Sequence, residues 1–158
     1  MRKALAGGPG VFDGIYAMSL CMQAVVSRQV RQILSQLRLN IDEEESGTLG
    51  FHFQTAGGQI TLNLFHEDGS PVMSFGVPCP GVLSTQTMPQ DLLGGLLFRH
   101  VPFGGWYANT DGTWLVLHLR YQALAAGVDA PAFKTIADKM VNEVAAVERV
   151  LRQRGLLL

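Results

Sequence analysis

The sequence predicts an α+β fold, an antiparallel five-stranded sheet with helices in the order α-βββ-α-ββ-α. Three observations carry that expectation. Three successive segments between Leu49 and Val77 alternate apolar and polar residues and are separated by turn residues, as an antiparallel meander with one buried face requires. A further pair of such segments flanks Asp111-Gly112, a strong hairpin signal. Long stretches near either end repeat their apolar residues every three or four positions, the period of an amphipathic helix.

The first helix is expected over Ile15 to Leu39, where Met18, Met22, Val26, Val30, Ile33 and Leu37 recur at helical spacing. Its opening "IYAMSLCMQAVV" is apolar on nearly every side, so it must be covered on two sides or by a partner. The acidic run "DEEES", Asp42 to Ser46, reads as a solvated loop. Strands follow in "LGFHFQT", "QITLNLFH" and "PVMSFGV", with turns at "AGG" and "EDGS".

After "VPCPG", the segment "TMPQ" at Thr87 to Gln90 has the form of a capping box opening a middle helix. That helix, "DLLGGLLF", holds Leu92, Leu93, Leu96 and Leu97 around Gly94 and Gly95. Two interior glycines weaken a helix by roughly 0.5–1 kcal/mol each, and a missing Cβ lets another backbone come close. Packing on one side by the sheet and on the other by a second chain is the expectation. "FGGWYANT" and "TWLVLHLRYQ" form the second hairpin. The last helix is capped by Asp129, admits Pro131 in its first turn, ends near Gly155, and buries Phe133, Ile136, Met140, Val144, Val147 and Leu151.

At 158 residues the chain reads as a single domain, 1–158, with residues 1–14 a flexible N-terminal segment. It is 47% hydrophobic and only 16% charged, with a formal net charge of -1. Such a balance gives no field to attract nucleic acid or an anionic membrane. The uncharged run Gly14 to Ser27 falls short of the about 20 apolar residues a bilayer needs, and the N-terminus lacks a signal-peptide core. A cytoplasmic protein is expected. Arg149, Arg152 and Arg154 cluster at the end of the last helix, where cations complement its dipole.

No residue set identifies a reaction. The two cysteines, Cys21 and Cys79, make no disulfide framework and have no metal spacing. His52, His66, His100 and His118 lack the clustering of a zinc site. Gly7, Gly8 and Gly10 follow no strand, so they make no phosphate loop. Catalytic residues, cofactor and metal are all expected to be absent.

The strand Thr113–Gln122 poses a sharper question. Alternation puts Leu115, Leu117, Leu119 and Tyr121 on one face and Trp114, Val116, His118 and Arg120 on the other. The second set suits a partner: Trp114 and Val116, with Trp106 across the hairpin, can seed an interface.

The element order, the hairpin "NTDGTWLVLHLRY" and the helix "KTIADKMVNEVAAVERVLRQRG" joined to it by "AGVDAPAF" resemble the type III secretion chaperone-like fold, in particular the YbjN-like proteins of bacteria, cyanobacteria included. That resemblance implies a homodimer through the middle helix, Leu92 to Leu97, and a client protein segment bound on Trp114 and Val116. Two other readings are a small-molecule-binding domain or small enzyme using the sheet concavity, with Cys79 or the histidines as polar groups, and a structural subunit whose first helix inserts in a larger assembly.

Overall fold

The computed structural model describes residues 26–45 and 47–157. The expected flexible segment 1–14, the apolar opening of the first helix before Val26, and Cys21 lie outside them.

The described chain begins with helix α1, Arg28–Leu37. Ser27 caps it, its Oγ accepting from the Val30 amide. Five strands come next: β1 Glu43–Glu45, β2 Thr48–Thr55, β3 Gly58–Phe65, β4 Val72–Pro78 and the short β5 Leu83–Ser84. Helix α2 is Gln90–Leu97, strands β6 and β7 are Gly105–Asp111 and Trp114–Leu124, and α3 is Ala130–Gln153. Among the described residues the α+β class and the order of the three helices are as expected, but the sheet has seven strands instead of five.

Both extra strands have a physical cause. The glutamates expected as a loop form β1, because Gly50 opposite Glu43 lets the two backbones approach; a Cβ on Gly50 would stand 3.0 Å from that of Glu43. Asp42 Oδ2 accepts from the His52 amide at 2.7 Å, and Glu43 Oε1 lies 2.8 Å from His52 Nε2, pinning the strand. Strand β5 brings Leu83 opposite Leu115, a pairing with no local signal.

The strands run β1-β2-β3-β4-β7, all antiparallel. Strand β6 pairs one side of β7, and β4 and β5 share its other side. The capping box expected at Thr87 does not form: Pro89 takes the N-cap position without a side-chain bond, and the helix starts at Gln90. The last helix follows the prediction closely. Asp129 Oδ1 accepts from the Ala132 amide at 2.8 Å, and the apolar stripe from Phe133 to Leu151 is buried.

All three helices pack on one face of the sheet, where they cover Leu49, Phe51, Leu62, Phe75, Leu117 and Leu119. Phe133 centres this core, with ring centroids 6.0 Å from Phe51 and 5.9 Å from Phe75. The opposite face carries Phe65, Tyr107, Trp114, Arg120, Gln122 and Leu124, all exposed. Among the described residues the sheet therefore has one closed face and one open face.

Candidate functional site

Helix α2 divides its residues between the core and the outside. Leu96 is buried, and Leu92, Leu93 and Leu97 are partly buried against the core. Asp91, Gly94, Gly95 and Phe98 recur at steps of three and four, so they share the outward side. Among the described residues no backbone comes close to the glycines: a Cβ on either would meet nothing within 4 Å. At the end of this bare strip Phe98 is 91% exposed. An aromatic side chain so fully in water is unusual, and sequence reading did not single it out.

The second surface is the open face of the sheet. Trp114 is 48% exposed and Val116 half-buried, on the same face as His118 and Arg120. Trp106 does not join them. It sits opposite Leu119, and directly opposed residues of an antiparallel pair share a face. Trp106 accordingly belongs to the core at 4% exposure, with its Nε1 donating to Glu143 Oε1 at 3.3 Å. Arg99 holds the same carboxylate, Nε to Oε1 at 3.0 Å.

On the open face the Arg120 guanidinium carbon stands 5.5 Å from the centre of the Tyr107 ring, within cation–π range. Burial, and after it the charge of Arg120, pushes the His118 imidazole below its usual range. Asn109 Nδ2 lies 3.3 Å from the His118 Nε2. A shallow depression of about 790 Å³ runs beside these residues, lined by Asn63, Phe65, Gly76, Gly105, Tyr107 and Arg120.

A cleft of about 700 Å³ separates the β2–β3 turn from α3 and is lined by Phe53, Val141, Ala145, Glu148, Arg149 and Arg152. Glu148 is 3% exposed and paired with Arg152, Oε1 to Nη2 at 2.6 Å. Cys79 is buried. Burial first, and the negative charge of Glu148 second, push its thiol up to about 12, with Arg152 opposing. A thiol so placed stays protonated and is a poor nucleophile. We expect a disulfide reagent at pH 8 to modify Cys79 of the folded protein far more slowly than free cysteine, with the difference vanishing in denaturant. Modification at the free-cysteine rate in the folded state would contradict the burial.

The histidines are dispersed. His52 meets Glu43, and His66 lies between Ser27 and the Ser70 carbonyl. Among the described residues no three His, Cys, Asp or Glu side chains gather as a metal site would need, and no helix is long and apolar enough to cross a membrane.

Compared as a sequence, the chain matches no family model and no curated protein. Compared as a structure, it is similar to the type III secretion chaperone SycH of Yersinia pestis, solved in complex with a stable fragment of YscM2. The TM-score is 0.50 at 16% identity, over 77% of this chain and 98% of that one. It is likewise similar to a chain of the HopA1-SchA chaperone-effector complex, with a TM-score of 0.52 at 12% identity over 89% of this chain and 99% of that one. Among the described residues, three helices on one face of an antiparallel sheet therefore form a type III secretion chaperone-like fold.

Proposed function

We propose that the protein is a non-enzymatic, chaperone-like homodimer of the cytoplasm that binds a segment of another protein. Within that reading it stands with the YbjN-like proteins, on the order of its elements and the hairpin leading into α3. The observation that carries the proposal is the outward side of α2, where Gly94 and Gly95 leave backbone bare beside the exposed Phe98. Bare backbone next to a solvated aromatic ring and the partly buried Leu93 and Leu97 extends the apolar surface of this helix, and contiguous apolar surface favours association. A second copy meeting the first across α2 buries both phenylalanines at once, because a two-fold interface uses the same patch twice. Fold likeness to chains solved as chaperone complexes supports the client half of the proposal, and Trp114 and Val116 supply its apolar contact.

The test of the client half is affinity recovery from cell extract with the wild type beside Trp114→Ala. One protein recovered by the wild type and lost in the variant, with dimerisation intact in both, is the expected result. Equal recovery by both would remove Trp114 from the binding surface. Recovery by neither would count against a protein client.

A further inference from the structure

We propose that the open face of the sheet binds an extended peptide laid across the strands, with an acidic side chain of that peptide held by Arg120 and a basic one held at the β1 edge. The inference rests on the protein-binding reading above and names the chemistry of the bound segment.

The strand registers put Gly105, Arg120, Gly76, Asn63, Gly50 and Glu43 in one row across the sheet. A parallel row holds Gln122, Ser74, Phe65, Thr48 and Glu45. Two depressions follow these rows: the one beside Arg120, and another lined by Glu43, Glu45, Thr48, Gly50 and Asn63. They share Thr48 and Asn63, so together they make one trough.

The charges of the trough are opposite at its two ends. Arg120 makes no ion pair among the described residues, and its guanidinium is braced over Tyr107. That leaves its planar donor fork free for a carboxylate, the group it matches best. At the far end Glu45 is also without an ion pair among the described residues, and Glu43 meets only His52. Four strand spacings of about 4.8 Å separate β7 from β1, roughly 19 Å, which an extended chain covers in about five or six residues. Asn63, midway, makes no side-chain hydrogen bond within the described chain. Its amide can both donate to and accept from a passing peptide backbone.

Gly76 agrees with this use. It lies inside a strand flanked on both sides, where glycine weakens pairing, yet a Cβ there would meet nothing within 4 Å and its φ is not positive. Nothing among the described residues requires this glycine; a backbone lying on the sheet would.

The probe is a pair of synthetic heptapeptides, Asp-Ser-Ala-Ser-Ala-Ser-Lys and its reverse, each compared with a version carrying Asn and Gln in place of the charges. Amide spectra of the ¹⁵N-labelled full chain are followed at low salt. One charged peptide should move the Gly76 and Gly105 signals, and the neutral versions should not. Arg120→Gln should weaken the effect roughly ten- to a hundredfold. Gly76→Val should remove it while leaving thermal stability unchanged or raised. The proposal is overturned if neither charged peptide moves those signals, if the neutral versions move them equally, or if Gly76→Val binds as the wild type does. Tighter binding of a uridine octamer at the same signals would make the face a nucleic-acid surface and overturn it too. Trp114-dependent client recovery alongside silent peptide spectra would reject this site and leave the chaperone-like reading standing.

Discussion

Phe133→Ala should lower the unfolding free energy by about 3–5 kcal/mol, the range for losing a buried phenylalanine. Phe133 is 1% exposed, and its ring lies against both Phe51 and Phe75. The substitution therefore leaves a cavity between helix and sheet at the point where β2, β4 and α3 meet. Against a total stability of about 5–15 kcal/mol the loss is large, and it should appear as a lowered urea midpoint with an unchanged slope. Phe98→Ala is the control. With its ring in water, the same chemical deletion should leave the midpoint of the isolated subunit almost where it was. A loss of less than about 1 kcal/mol for Phe133→Ala would mean that α3 does not pack on the sheet as described.

Phe98→Glu carries the second large effect, on association instead of folding. Burying one phenylalanine contributes about 1.5–3 kcal/mol, and a two-fold contact across α2 buries two. Replacing both with carboxylates also sets like charges against a helix face that offers Gly94, Gly95 and the carboxylate of Asp91. The dimer dissociation constant should rise by a factor of about 10² to 10⁴, read by sedimentation over a concentration series, with the subunit's far-UV spectrum unchanged. Leu96 would be a poor choice for the same test: it is 7% exposed, so a charge there would act on the subunit core. A phenylalanine alone is too small for a stable interface, which buries about 800 Å² per partner. The helix side and its surroundings must contribute the rest.

Much of the fold was legible in the sequence because its signals are local and repeated. The stripe of α3 runs along a helix of 24 residues, and the meander segments alternate apolar and polar residues, with burial alternating most cleanly in β3 and β4. Strand β1 was not legible, since three glutamates argue against a strand. Only the missing side chain of Gly50 and the reach of Asp42 and Glu43 to His52 make it one. The two-residue β5 depends on a partner 32 residues away, Leu115 against Leu83, a pairing that no local window contains.

The candidate site was half legible for similar reasons. The open face of β7 follows from parity alone, and so could Trp106. A two-residue turn at Gly112-Thr113 places Trp106 opposite an odd-numbered residue of β7, hence on the leucine face, whereas a three-residue loop would place it on the other; the observed partner is Leu119. Phe98 was hidden because the leucines and the glycine pair of α2 carried its reading. Its step of four from Gly94 marks the outward side once Leu92, Leu93, Leu96 and Leu97 are recognised as facing the core. The cation–π contact of Arg120 with Tyr107 joins β7 to β6 diagonally, a relation that needs the hairpin register first.

The most direct test of the association across α2 is the mass of the wild-type chain in solution by light scattering, measured beside Phe98→Glu at the same concentration. Two chains per particle for the wild type and one for the variant is the predicted result. A wild-type particle of one chain throughout the concentration range would contradict it.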